Sequence, residues 1–227
     1  MRRAATWLAL GILGVLPTTA GAGGIDLRVG GFFPQAGSNL FDDVADLYLT
    51  GGDTIRKADW VGVTGGVEFS AKLVDNLEIG FHVDGFSRTL HTSYRDYVHE
   101  SGREIVQSLE LDVVPVGVSL RLVPTRRSAR LAPYVSAGVD LFFWQYEEWG
   151  EFVDSETGDI WDDLFMSEGV APGFHVAAGL RVGLTDDLSL VGEGRYQEAR
   201  DDMGDDFRGY RVSLSGASAT VGLHVRF

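Results

Sequence analysis

The chain has 227 residues, no cysteine, 30 glycines and a formal net charge of −14. So acidic a protein is a poor partner for nucleic acid, because phosphate contacts need a basic surface. The absence of cysteine excludes disulfides and thiolate metal sites. After the N-terminal segment, no stretch holds the roughly 18 consecutive apolar residues of a membrane-spanning helix.

The N-terminal segment has the pattern of a secretory signal peptide. A basic start precedes the apolar core Ala4–Leu16, and Ala20–Ala22 fits the rule of small residues before a cleavage site. The apolar core is too short for a membrane anchor. We therefore predict that residues 1–22 are removed on export and that residues 23–227 form one β-barrel domain.

Alternation of apolar and other residues predicts eight β-strands in the mature domain. The residues between the apolar ones are mostly Gly, Ala and Ser, with charges of both signs. This composition suits the narrow interior of a barrel whose apolar exterior faces lipid. The predicted strands are Ile25–Phe33, Asp59–Ser70, Leu77–Phe86, Ile105–Leu122, Leu131–Tyr146, the two arms of a hairpin over Pro172–Tyr196, and Gly209–Phe227.

The connections alternate between long and short. The short ones are Val74–Asn76, Pro124–Arg130 and the Asp186–Asp187 turn, and the long polar ones are Pro34–Ala58, Arg88–Arg103, Glu147–Ala171 and Ala199–Arg208. Bacterial barrels have short periplasmic turns and longer outer loops, and an even strand number places both termini in the periplasm. The sequence therefore predicts an all-β, eight-stranded antiparallel up-and-down transmembrane β-barrel of the outer membrane.

Two predicted strands change their apolar face within their length. In the fourth strand, Leu111 and Val113 share one face, whereas Val114 begins an apolar series on the other. A shift beside Pro115 predicts a β-bulge, because a bulge is where a strand tolerates proline. In the upper part of the last strand, near Leu214, the apolar residues also lie on the opposite face. This predicts a bulge or an extension beyond the membrane.

Four segments and the terminal aromatic residue carry a resemblance to a known family. The segments are Val114–Leu120, Ala132–Val139, Gly173–Leu180 and Val191–Tyr196. In this order they resemble the small bacterial outer-membrane β-barrel domain family, with the OmpA transmembrane domain, OmpW-like proteins and porin-family-type proteins. The resemblance implies a Gram-negative cell envelope, with outer-membrane lipids and lipopolysaccharide as surroundings. It also implies that Phe227 is the assembly signal for the barrel-assembly machinery.

Charged and histidine residues occupy predicted inward positions. We interpret them as ion pairs and hydrogen bonds that neutralise a packed lumen, because eight strands leave room only for side chains and unpaired buried charges are costly. The alternative is a narrow gated path, with Glu193–Arg195 and Glu78–Arg28 as candidate gate pairs. The predicted polar network consists of Asp26, Arg28, Glu68, Glu78, His82, Asp84, Arg121, Asp140, His175, Arg181, Glu193, Arg195, His224 and Arg226.

The longest predicted loop is strongly acidic. From Glu147 to Glu168 it holds nine acidic residues and no Lys or Arg. Asp154, Glu156 and Asp159 have a spacing that could hold Ca²⁺, although it is not that of an EF-hand loop. We expect divalent cations or a basic partner at this loop, and a merely solvated acidic loop is the alternative. No cofactor is predicted.

These patterns favour a non-enzymatic barrel for envelope integrity or surface interaction. Inward Tyr134, Phe142 and Trp144 argue for a filled lumen. One alternative is a narrow porin-like or OmpW-like conduit for small or hydrophobic solutes. Another is a lipid A-modifying enzyme, which needs a nucleophile with a positioned base; His91 and His99 match no deacylase or palmitoyltransferase motif. A soluble lipocalin-like barrel would bury the apolar face inside instead.

Overall fold

The computed structural model describes residues 23–124, 130–154 and 157–227, so the predicted signal peptide lies outside the described residues. One α-helix, α1 (Asn39–Leu47), and two single-turn 3-10 helices (Lys57–Trp60 and Asp205–Phe207) lie in connections between strands. The strands are β1 (Gly23–Pro34), β2 (Tyr48–Thr50), β3 (Asp53–Thr54), β4 (Gly62–Val74), β5 (Leu77–Val98), β6 (Glu104–Leu122), β7 (Leu131–Val153), β8 (Ile160–Gly183), β9 (Leu188–Asp202), β10 (Arg211–Ser213) and β11 (Gly216–Arg226). No helix in these ranges has the length and apolar character needed to cross a membrane.

Eight strands close into an antiparallel ring. The order around the ring is β1, β4, β5, β6, β7, β8, β9 and β11, and β11 pairs again with β1 from Gly24↔Arg226 to Pro34↔Gly216. The short strands β2, β3 and β10 are added at one end of the ring. Within the ring each strand is paired on both sides, so the ring itself has no open edge. The predicted eight-stranded barrel is confirmed.

The two ends of the barrel differ in length. The short connections lie at the same end as Gly23, the first described residue, and Phe227, and the backbones of these two residues exchange two hydrogen bonds of 3.1 Å. At the other end, β7 and β8 extend far beyond β1, with 23 and 24 residues against 12. A tall extension therefore rises from one end of the ring.

This extension corrects the predicted loops. Most of the segment 88–103 belongs to β5, which runs to Val98, and only residues 99–103 connect it to β6. Most of the segment 147–171 belongs to β7 and β8, which pair as far as Val153↔Ile160. The polar residues of these two segments therefore lie mostly on regular β-strands and not in loops.

The strand register contradicts the predicted bulge at Pro115. The β6–β7 pairing runs without a shift from Gln107↔Gly150 to Leu122↔Val135. Leu111 and Val113 point into the barrel, whereas Val118 points out. The apolar residues therefore change face because the surroundings of the strand change along its length. The last strand shows the same change of surroundings. Leu214, between β10 and β11, points inward, and its backbone N–H donates to the carbonyl oxygen of Ala199 at 3.0 Å.

The interior has two zones. The lower zone, surrounded by the strand ends near the short connections, is polar and charged, whereas the upper zone is an apolar and aromatic core. Helix α1 packs over this core through Leu40, Phe41 and Val44, with the ring of Phe41 5.1 Å from that of Trp60. The predicted inward orientation of Tyr134, Phe142 and Trp144 matches their burial.

The exterior of the lower zone is a belt of exposed apolar side chains. Above this belt, many outward positions are polar, as at Glu147 and Glu168 on neighbouring strands, although a few apolar side chains such as Leu164 and Met166 are exposed there. So continuous an apolar surface is typical of a membrane or protein interface. The belt includes one or more residues from each ring strand, among them Val29, Val63, Phe81, Val118, Val139, Val176, Leu190 and Val221.

The belt generates a first prediction. Arginine at an exposed belt position, as in Leu180→Arg or Val221→Arg, should cost about 2–4 kcal/mol of folding free energy in lipid vesicles, because the charge would enter hydrocarbon. The matched control is Leu164→Arg, an equally exposed leucine on the outer face of β8 in the upper zone. Heat-modifiable mobility on gels measures the folded fraction, and equal yields from all three variants would contradict a lipid-facing belt.

Candidate functional site: the polar lumen

The lower zone holds four arginines among six carboxylates in the described part of the chain. At its centre, the Arg28 guanidinium donates to Glu68 at 3.0 Å, to Glu193 at 2.9 Å and to Asp84 at 3.1 Å. The side chains of Arg28, Glu68 and Glu193 are at most 2% exposed. Burial of this kind requires partners for each charge, because an unpaired buried ion is expensive.

Three further arginines extend this network around the ring. Arg121 bonds Glu68 at 2.5 Å and Asp26 at 3.1 Å, and its guanidinium lies 4.5 Å from the centre of the Tyr134 ring. Arg181 on β8 and Arg195 on β9 add contacts that cross the lumen to β1 and β5, and Arg195 also pairs with Glu193 on its own strand. These contacts are Arg181–Glu78 at 3.0 Å, Arg181–Asp26 at 3.4 Å, Arg195–Asp84 at 2.7 Å and Arg195–Glu193 at 3.2 Å.

Inward glycines make room for these long side chains. A Cβ at Gly66 would lie 2.0 Å from Asp84 Oδ1, and one at Gly80 would lie 2.5 Å from Glu68 Oε1. A narrow lumen can hold a dense charge network only where neighbouring positions have no side chain. The alternation of glycine with charged residues is therefore the signal in the sequence that marks this zone.

Three histidines join the network through carboxylates. His224 Nδ1 lies 2.7 Å from Asp26 Oδ1, and His175 Nδ1 lies 2.7 Å from Asp140 Oδ2. His82 Nε2 lies 3.0 Å from Asp140 Oδ1, but the two groups are not aligned as a hydrogen bond. All three imidazoles are buried.

The structure brings together thirteen of the fourteen residues proposed for the polar lumen. The exception is Arg226, which is half-buried at the base of β11 and makes none of the ion pairs found among the described residues. The pair Glu193–Arg195 is present at 3.2 Å, whereas Glu78 pairs with Arg181 rather than Arg28.

The lumen narrows where the two zones meet. A cavity of about 20 Å³ lies between the charges of Arg28 and Asp84 and the rings of Phe32 and Phe86. Such a volume holds about one water molecule. Above it, Phe142 is fully buried and the aromatic core begins. Side chains therefore fill the lumen at this level.

The upper zone contains a buried carboxylate that sequence reasoning missed. Glu148 accepts hydrogen bonds from the hydroxyls of Tyr146 at 2.7 Å and Tyr48 at 3.2 Å. Burial raises the pKa of Glu148 above its ordinary value, and the two tyrosine hydrogen bonds offset only part of this rise. The carboxyl borders a cavity of about 230 Å³ that Phe165 and Tyr210 also line. Because the sequence predicts a loop over residues 147–171, it gives no sign that Glu148 points inward.

Two of the three proposed calcium ligands, Asp154 and Asp159, lie at the tip of the β7–β8 hairpin. Asp154 Oδ1 accepts from the backbone of Thr157 at 3.0 Å, and Asp159 Oδ2 accepts from its hydroxyl at 3.1 Å. Glu156 lies outside the described residues. These two carboxylates therefore help to hold their own turn, and calcium binding here stays a prediction.

No family model matches the sequence, and no curated protein matches it. Similar solved structures are small outer-membrane β-barrel proteins. A major outer membrane protein from Thermus thermophilus is 13% identical with a TM-score of 0.49, over 92% of this chain and 100% of that one. Neisserial surface protein A is 14% identical with a TM-score of 0.48, over 92% of this chain and 98% of that one. Outer membrane protein W of E. coli is 14% identical with a TM-score of 0.41, over 92% of this chain and 100% of that one. These likenesses are weak, and the barrel assignment rests on the strand pairing itself.

Replacing one buried arginine should show how much the charge network stabilises the barrel. Arg121→Met should lower the free energy of unfolding by about 3–5 kcal/mol, because it leaves Asp26 and Glu68 buried with fewer partners. Arg226→Met is the matched control and should change it by less than about 0.5 kcal/mol. Urea unfolding in lipid vesicles, followed by tryptophan fluorescence, measures both. Similar midpoints for the two variants would show that the network adds no stability.

The upper zone should loosen as the pH rises. Because the pKa of Glu148 is raised, the folded zone retains a proton that the opened zone releases above its ordinary pKa of 4.5. Stability is therefore greatest below about pH 4.5 and falls as the pH rises to the raised pKa. Hydrogen exchange of upper-zone amides, expressed as protection factors, should show this fall. Glu148→Gln should remove it, and a pH dependence that persists in this variant would exclude Glu148 as the cause.

Proposed function

We propose that this chain is a closed, non-enzymatic barrel of the Gram-negative outer membrane, in which the belt contacts lipid. On β7, exposed apolar residues run from Leu131 to Leu141. About ten steps of roughly 3.3 Å, tilted by roughly 40°, give a belt about 25 Å tall, the usual height in outer-membrane barrels. Both chain ends and the short connections then face the periplasm, and the extension lies outside the cell.

The observation that carries this proposal is the filled lumen. A conduit would need a continuous path, whereas ion pairs fill the lower zone and aromatic side chains fill the upper zone. Opening such a path would separate buried charges from their partners, which is expensive in a membrane. The proposed role therefore belongs to the outer surface of the protein, in envelope integrity or in contact with a partner.

A catalytic role has little support in the described residues. His91 Nδ1 lies 3.0 Å from Ser108 Oγ, and His99 Nε2 lies 3.2 Å from Glu151. Neither histidine links a serine to a carboxylate, which acyl-transfer chemistry with a serine nucleophile requires. Catalysis is therefore not part of the proposed function.

The proposed partners follow from the two surfaces. The belt and the outer leaflet would bring the chain into contact with outer-membrane lipids and lipopolysaccharide. The acidic extension would attract divalent cations or a basic partner, because like-signed charge on one face raises the local concentration of counterions. Exposed Phe227, at the end of the last ring strand, is available as a signal for the barrel-assembly machinery.

Conductance tests the closed lumen. The purified protein inserted in a planar bilayer at moderate salt should give no discrete single-channel steps, because no water path crosses the packed zones. A conducting porin in the same bilayer controls for sensitivity. Reproducible steps from the wild-type protein would overturn the closed barrel and favour a conduit.

Cysteine labelling in intact cells tests the orientation, because the chain has no cysteine of its own. Asp162→Cys, exposed in the extension, should react with a membrane-impermeant maleimide. Asp187→Cys, exposed in the short β8–β9 turn, should react only after the outer membrane is permeabilised. The reverse pattern would overturn the proposed orientation.

A further inference from the structure

Two histidines and one aspartate meet in the lower zone, away from the arginines. His82 on β5, Asp140 on β7 and His175 on β8 offer one ligand atom each, and these atoms lie within 4.8 Å of one another. We propose that this cluster binds a divalent transition-metal ion, of which Zn²⁺ is the probe. Two imidazoles and one carboxylate form a ligand set that suits Zn²⁺ or Ni²⁺ better than Ca²⁺ or Mg²⁺.

The two imidazoles lie against the two oxygens of one carboxylate. His82 Nε2 lies 3.0 Å from one oxygen of Asp140, and His175 Nδ1 lies 2.7 Å from the other. Two ligands that each lie about 2.0–2.1 Å from a tetrahedral Zn²⁺ are roughly 3.3 Å apart. On binding the ion, the imidazole–carboxylate distances would lengthen by a few tenths of an ångström. Ligand atoms that now lie up to 4.8 Å apart would close by as much as about 1.5 Å.

Four buried polar atoms of the cluster lack a hydrogen bond, whereas His175 Nδ1 and Asp140 Oδ2 form one at 2.7 Å. Among the described residues, both ring nitrogens of His82, Oδ1 of Asp140 and Nε2 of His175 have no hydrogen-bond partner. The residues are 0%, 5% and 1% exposed, respectively. Buried polar groups normally have partners. A bound cation would satisfy the nitrogen of His82 and the carboxylate oxygen that face each other without an aligned hydrogen bond.

The charges of the lower zone also favour a cation at this point. Six carboxylates share four arginines, and all the arginine contacts within the described ranges go to carboxylates other than Asp140. The ion-pair contacts of Asp140 there are with His82 and His175. With neutral imidazoles the zone carries two excess negative charges, which one divalent ion would neutralise.

The neighbouring glycines shape the cluster. Gly117 on β6 lies in register between His82 and Asp140, and a Cβ there would lie 1.8 Å from Asp140 Oδ1. A Cβ at Gly138 would lie 2.5 Å from His175 Cε1. The absence of these two side chains is what lets the three ligands converge across adjacent strands.

Metal content tests the proposal. Because the site is buried, the purified full chain is refolded in detergent micelles with Zn²⁺ or with EDTA, desalted, and analysed for zinc per folded chain. The wild-type protein should retain one Zn²⁺ per chain, and His82→Gln and His175→Gln should retain at least tenfold less. His224→Gln, a buried histidine outside the cluster, should retain as much as the wild type, as should the double variant H91Q/H99Q, which removes the histidines of the extension.

A second measurement keeps the proposal testable where a variant fails to fold. Co²⁺ refolded into the wild-type protein should give the visible absorption of a low-symmetry nitrogen–oxygen site, and acidification should bleach it, because imidazole binds metal only when neutral. A folded wild-type protein that retains no zinc and no cobalt would overturn the proposal, and would leave protonated histidines as the source of positive charge. Equal zinc in the wild type and in folded His82→Gln would also overturn it.

Discussion

The buried network of arginines and carboxylates determines what the lumen of this barrel can be. Arg28 and Arg121 each touch several acids from different strands, so no single ion pair can open without disturbing the others. Enclosed by the wall of the barrel, these charges have no solvent to replace their protein partners. The network therefore joins the strands of the ring through its centre, as hydrogen bonds join them along its wall.

The same strands serve two environments in succession. In the lower zone they are apolar outside and polar inside. In the upper zone the inner face becomes apolar, and from β6 to β8 this happens without any change in register. Leu111 and Val113 on β6 show the change, because they continue the strand of outward Val118 but point into the aromatic core. The extension thus has a core of the kind found in water-soluble sheets, which accounts for its regular structure beyond the belt.

This change explains what could and could not be predicted from the sequence. The ring and its inward residues follow from simple alternation, as in Ile25–Phe33 or Leu131–Tyr146. The extension resembles loops in the sequence because its alternation has the reverse polarity, and a reversal of polarity looks like a bulge when only one environment is considered. The pairing of charges could not be predicted, because partners such as Asp26 and His224 are 198 residues apart and meet only when the ring closes.

Among the residues that the structure describes, each zone holds one buried carboxylate without an arginine partner, and the two carboxylates have different neighbours. In the upper zone, Glu148 has tyrosine hydroxyls rather than a cation as partners, and burial raises its pKa, so protonation can remove the charge. In the lower zone, arginines lie 2.5–3.1 Å from the carboxylates that they contact. Asp140 is the exception, since it lies among ions but pairs with imidazoles instead of an arginine. A metal ion held by the same imidazoles, as proposed above, would balance the charge of Asp140 and would occupy the unaligned contact between His82 and this carboxylate.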